Sequence, residues 1–61
     1  MKYSKVYSVA NNSSVAGLLD WLTENGAQWQ VWARSAETLD IQVEASREDR
    51  AMIDDEIALY K

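Results

Sequence analysis

Alternating apolar and polar residues predict three strands. Residues 3 to 10 alternate and include β-branched and aromatic side chains, and residues 27 to 34 and 39 to 45 form two further segments of this kind. The third alternates without a break, with Leu39, Ile41 and Val43 on one side and Asp40, Gln42 and Glu44 on the other. This alternation indicates a sheet with one buried and one polar face.

The first strand allows two interpretations of its buried side. One face carries Tyr3, Lys5, Tyr7 and Val9, and the other carries Ser4, Val6, Ser8 and Ala10. The first face is more apolar, but it places the ammonium group of Lys5 in the middle of a core, where a charge is costly to desolvate. We therefore favour Val6 and Ala10 as the buried side and keep the opposite facing as the alternative.

Two segments show the spacing of amphipathic helices. The first follows a loop at residues 11 to 14, repeats Val15, Leu18, Leu19 and Leu22, and stops before Gly26, which favours a left-handed helix end. The second begins at a predicted capping box of Ser46 and Asp49. Its apolar stripe consists of Met52, Ile53, Ile57 and Tyr60, which Leu59 could extend.

The order βαββα predicts an α+β fold in a single domain, residues 1 to 61. A right-handed crossover leaves room for strand 3 between strands 1 and 2, so the three-stranded antiparallel sheet has order 1-3-2 with both helices on one face. This two-layer sandwich resembles a ferredoxin-like fold without its fourth strand. The resemblance implies that strand 1 is an exposed edge.

The hairpin between strands 2 and 3 constrains the tryptophans. The apolar residues of strand 3 are odd-numbered, and Ala33 lies on the expected core side of strand 2. For these two sides to form one buried face, Ala33 must lie opposite an odd-numbered residue, which requires a loop of odd length. Trp29 is then expected in the core, and Trp32 faces Asp40 or Gln42 on the polar side. Trp32 either covers that face as simple packing or serves as a binding anchor, a role in which tryptophan is enriched.

Composition excludes much chemistry. The 61 residues contain no cysteine and no histidine, so the usual zinc, haem and iron-sulfur ligands and most nucleophile-base pairs are absent. Asp40 and Glu44 could form a catalytic pair, but they point outward from a sheet too small to build a cleft. We expect no enzyme, no cofactor and no metal site.

The acidity is unevenly placed. Net charge is −4, and from residue 37 onward eight acidic residues stand against three basic ones. Asp54, Asp55 and Glu56 do not suit one metal ion, because consecutive helical positions fan out by about 100°. They are expected to form a solvated helix face, with Arg50 and Asp54 paired. The charge disfavours nucleic acid and anionic membranes and favours basic partners.

No apolar run is long enough for a membrane span, and residues 1 to 5 lead into no signal-peptide pattern, so a cytoplasmic protein is expected. In size and charge layout, though not in any motif, the chain resembles the small acidic anti-restriction and anti-CRISPR proteins of phages, some of which act as DNA mimics.

That resemblance implies a non-catalytic inhibitor whose acidic surface occupies a basic, nucleic-acid-binding site on a partner protein of the host. The candidate partner-binding residues are Trp32, Asp40, Glu44, Asp54, Asp55 and Glu56. The alternative is a dimerising interaction module, or an antitoxin-like partner, that uses strand 1 or the Trp32 face and is acidic for solubility. In both cases we expect no direct binding to nucleic acid, and a homodimer through strand 1 is a further expectation.

Overall fold

The structure is a computed structural model and describes residues 1–60. Over these residues the elements are β1 Lys2–Ala10, α1 Ser14–Glu24, β2 Gln28–Ala33, β3 Thr38–Ser46, a 3₁₀ turn Arg47–Asp49 and α2 Arg50–Ala58. The strands pair antiparallel in the order β1-β3-β2. The predicted α+β architecture is confirmed, and it is consistent with the ferredoxin-like resemblance.

Both helices cover the same face of the sheet. The helices and the central strand each contribute two fully buried residues: Leu18 and Leu22 of α1, Ile53 and Ile57 of α2, and Ile41 and Val43 of β3. Ile53 and Ile57 lie four positions apart on α2, so the buried side of this helix is the one that carries them. Met52 lies outside it and is 41% exposed, so the expectation that Met52 belongs to the core stripe is wrong.

The β2–β3 hairpin has the predicted register. Ala33 lies opposite Leu39, with five residues between them, and Trp32 lies opposite Asp40. The turn closes because the backbone N–H groups of Arg34 and Ser35 both donate to the carbonyl of Thr38, at 3.0 and 3.1 Å. The core faces of β2 and β3 therefore coincide.

The favoured facing of strand 1 is wrong, and the alternative holds. Tyr3, Tyr7 and Val9 are buried, whereas Val6 is 51% exposed. The expected desolvation of Lys5 does not occur because β1 is an edge strand. The Lys5 side chain keeps 42% of its surface exposed, so the tyrosines enter the core without burying the charge.

The expectation that Trp29 belongs to the core is also wrong. Trp29 lies opposite Val43 on the helix-covered face, but it is 38% exposed because β2 is the other edge strand. Its indole Nε1 donates to Thr23 Oγ1 near the end of α1, at 3.0 Å. Trp21 is partly buried against the core. The hydrogen bond of Trp29 therefore links the edge strand β2 to the last turn of α1.

The helix ends follow local side-chain chemistry. Gly26 takes the predicted left-handed conformation after α1, with φ of 78°. Ser46 accepts a hydrogen bond from the Glu48 backbone N–H at 3.4 Å, but it caps the 3₁₀ turn. The predicted capping box is absent at α2, since Asp49 precedes this helix without a side-chain capping bond.

Candidate functional site

The sheet face that turns away from both helices is the candidate site. The buried strand residues are odd-numbered, so the even-numbered side chains of the strands point to the uncovered side. We call this surface the open face; with the adjoining Arg34 it consists of Lys2, Ser4, Val6, Ser8, Gln28, Gln30, Trp32, Arg34, Asp40, Gln42 and Glu44.

One end of the open face is fixed by a group of three polar side chains. The Ser8 hydroxyl donates to Asp40 Oδ1 at 3.0 Å, and Arg34 Nη1 donates to Ser8 Oγ at 3.4 Å. Arg34 also lies 3.8 Å from the Asp40 carboxylate. Asp40 keeps only 16% of its side-chain surface exposed. The negative charge of Asp40 is therefore partly compensated by Arg34 and by the hydrogen bond from Ser8.

The middle of the open face is tied to β1 in a similar way. Gln42 Nε2 donates to Ser4 Oγ at 3.0 Å. Gln42 lies opposite Val6 on one side and Gln30 on the other. Polar side chains of the central strand are thus held in place by the edge strand β1.

Trp32 stands beside this fixed polar surface. It lies opposite Asp40, as predicted, and is 43% exposed on the edge strand β2. The core contains none of the side chains of the open face, so Trp32 contributes little to the packing under the helices. A partly exposed aromatic ring among ordered polar neighbours is the arrangement found at binding hot spots.

The predicted acidic residues are divided between the two layers. Asp40 and Glu44 lie on the open face, whereas Asp54, Asp55 and Glu56 lie on α2, on the other side of the sheet. A single partner surface would have to wrap around the domain to reach both groups. The structure therefore does not bring the six candidate residues together.

Asp54 differs from its neighbours because it belongs to a network with β1. It accepts a hydrogen bond from the hydroxyl of Tyr7, and its carboxylate lies 3.6 Å from Lys5 Nζ and 3.8 Å from Arg50 Nε. The Tyr7 hydrogen bond, helped by both cations, holds the pKa of Asp54 below its usual range. The Arg50–Asp54 pair is as predicted, whereas no pattern in the sequence indicates the contact with Tyr7.

The two buried tyrosines complete this network. The Tyr3 and Tyr7 hydroxyls lie 3.3 Å apart, and the Arg50 guanidinium lies over the Tyr3 ring, 5.6 Å from its centroid. Burial, followed by the hydrogen bond to Asp54, raises the pKa of Tyr7. Tyr7 therefore stays neutral and acts as a hydrogen-bond donor, which is a structural role.

The remaining acidity lies on the helix side. The open face carries two basic and two acidic residues, whereas residues 47 to 58 carry five acidic and two basic ones. On α2, Asp55 is exposed and Glu56 is partly exposed. Within residues 1–60 no cluster of three or more acidic side chains is arranged to hold a metal ion.

Comparisons with protein-family models, with curated proteins and with solved structures find no match. No helix in the described part of the chain is long and apolar enough to cross a membrane.

Proposed function

We propose that this chain is a small, non-catalytic protein-binding module that regulates or inhibits a partner protein through its open face. The observation that carries the proposal is Trp32, 43% exposed beside Asp40 on the face that no helix covers. A large aromatic ring there adds little to the fold. Its burial against a partner would gain the apolar area that the fold leaves unused.

The surroundings of Trp32 favour binding. Asp40, Ser8 and Arg34 hold one another in place, and Gln42 is held by Ser4. Side chains that are already ordered lose less conformational freedom when a partner arrives, so more of the contact energy appears as affinity. A fixed polar surround with one aromatic anchor also resembles the usual layout of an interface.

The second candidate function is occupation of a basic, nucleic-acid-binding site by acidic side chains, as a DNA mimic of the anti-CRISPR or anti-restriction type would do in the cytoplasm of a host. The concentration of acids on α2 favours it. Asp40 and Asp54 are already paired with cations, so this function would depend mainly on Asp55 and Glu56, with Glu44 alone on the open face.

Both candidate functions consist of protein binding. Neither includes direct binding of nucleic acid, because an acidic chain repels the phosphate backbone. A gel-shift assay at low salt with duplex and single-stranded DNA should show no complex. Binding at micromolar concentration would contradict this account of the charge.

Capture from lysate of the native host tests the main proposal. The tagged chain, Trp32→Ala and Leu59→Ala are immobilised in parallel, and bound proteins are quantified by mass spectrometry. Leu59 is the matched control because it is a large apolar residue, 77% exposed, on the helix side. A specific protein should be retained by the parent chain and by Leu59→Ala and lost with Trp32→Ala. Equal retention by both variants would contradict the proposal.

A further inference from the structure

A groove runs along the free edge of β1. Its volume is about 740 Å³, and it is lined by Lys5, Val6, Tyr7, Ser8, Val9, Ala10, Glu37, Thr38 and Asp54. Six consecutive residues of one strand form its wall, and Asp54 of α2 contributes on the helix side. This edge groove is separate from Trp32, which lies on the opposite edge strand.

The backbone of β1 presents unpaired groups to this groove. Asn11 N–H donates to the Glu37 carbonyl, and Arg47 N–H donates to the Met1 carbonyl, both at 2.9 Å. Backbone groups of a strand alternate sides, so the odd-numbered residues bond β3 in this register. The N–H and C=O groups of Ser4, Val6 and Ser8 therefore point into the groove.

Ala10 confirms this alternation and marks the end of the free edge. Its N–H donates to the carbonyl of Tyr60 at 3.0 Å, on the side away from β3. Within the described residues no other backbone hydrogen bond outside helices and strands involves the edge from Ser4 to Ser8. An occupant therefore has three residues with outward backbone groups to pair with.

We propose that the edge groove binds an extended, basic segment of a partner protein, which adds to the sheet as a fourth strand antiparallel to β1. The main-chain groups of Ser4, Val6 and Ser8 supply the hydrogen bonds of this strand addition. An apolar side chain on the open side of the added strand covers Val6, which is 51% exposed.

A basic segment fits because of the charges along the groove. Lys5 Nζ lies 3.6 Å from the Asp54 carboxylate and 4.9 Å from the centroid of the Tyr7 ring, so its charge is met within the chain. Glu37 is exposed at the other end and forms no ion pair within residues 1–60. Of the three charged residues that line the groove, Lys5 is positive and Glu37 and Asp54 are negative. A lysine or arginine near the start of the added strand, next to Glu37, complements this excess of negative charge.

A second copy of this chain fits the groove less well than a bare strand. Paired strands lie about 4.8 Å apart, whereas packed helices need about 8–10 Å between their axes. Helix α2 lies over β1, as the contact of Asp54 with Tyr7 shows. Pairing of β1 with its own copy would place two α2 helices next to each other on the covered face of the joined sheet, whereas a bare strand brings no second helix to this edge.

Nuclear magnetic resonance with synthetic peptides tests this inference. The probes are a short peptide that alternates valine with lysine and a matched peptide that alternates valine with glutamate. The lysine peptide should shift the amide signals of Ser4, Val6 and Ser8 and slow their hydrogen exchange. The glutamate peptide should bind at least ten times more weakly. N-methylation of alternate peptide residues should abolish binding in one register and leave it in the other.

The Val6→Pro variant removes a backbone N–H that points away from β3, so the fold should persist while peptide binding is lost. Val6→Thr is the control, since it keeps the N–H and the β-branched shape. The inference is overturned if neither peptide perturbs the three amides at millimolar concentration or if N-methylation in both registers has the same effect. It is also overturned if the parent chain sediments as a dimer that Val6→Pro converts to a monomer.

Discussion

The two faces of the sheet are formed by the same three strands but differ in burial and in the kind of side chain they carry. On the covered face Tyr3, Tyr7, Ile41, Val43 and Ala45 are at most 8% exposed. On the open face most side chains are polar and several are hydrogen-bonded to one another, and Trp32 and Val6 are the large apolar residues exposed there. Burial explains the first face. No side chain of the open face belongs to the core, and the proposed binding role rests on this difference between the two faces.

The largest expected difference between the faces comes from truncation on the covered side. Ile41→Ala leaves a cavity among fully buried neighbours and should lower the free energy of unfolding by about 3 kcal/mol. Gln42→Ala, the next residue on the open face, should lower it by less than about 1 kcal/mol. Urea titrations followed by circular dichroism measure both. Equal losses would show that the open face also carries the fold.

A smaller effect is expected from the link between β1 and α2. Tyr7→Phe removes the hydrogen bond to Asp54 and should lower the free energy of unfolding by about 1–2 kcal/mol at pH 7. Because this bond lowers the pKa of Asp54, its contribution is present above the ordinary carboxyl pKa and is lost as the pH falls through the lowered value.

Urea titrations between pH 7 and pH 2 measure that dependence. The difference between the parent chain and Tyr7→Phe should shrink as the solution becomes acidic. Tyr3→Phe is the control, because the Tyr3 hydroxyl bonds the Tyr7 hydroxyl and contacts no carboxylate in the described network. A Tyr7→Phe difference that is constant with pH would contradict the assigned role of Asp54.

The smallest effect on stability is expected on the open face. Ser8→Ala removes the hydroxyl between Asp40 and Arg34 and should change the free energy of unfolding by no more than about 0.5 kcal/mol, since all three side chains are at the surface. The same urea titration measures it. A loss above about 1 kcal/mol would mean that this polar group supports the fold.

The sequence predicted the order of elements and the hairpin register because β3 alternates without a break. Alternation shows which side chains share a face, but not how far a strand lies from the edge of the sheet. The expectations for Lys5 and Trp29 are wrong for that reason: both residues lie on edge strands and stay partly exposed although they are on the covered face.

The candidate site was predictable only in part. The pairing of Trp32 with Asp40 followed from the hairpin. The contact of Ser8 with Asp40 depended on the facing of strand 1, which was predicted the wrong way round. The contact of Tyr7 with Asp54 joins residues 47 positions apart, and neither periodicity nor composition indicates it.

The most direct test of the central claim, that the open face rather than the acidic helix is the binding surface, is calorimetry with the captured partner at low and high salt. Trp32→Ala should weaken binding about 30-fold, equivalent to about 2 kcal/mol, at both salt concentrations. Charge reversal of Asp55 and Glu56 should have a small effect that disappears at high salt. If the reversal abolishes low-salt binding and Trp32→Ala leaves it unchanged, the claim is contradicted and occupation of a basic site takes its place.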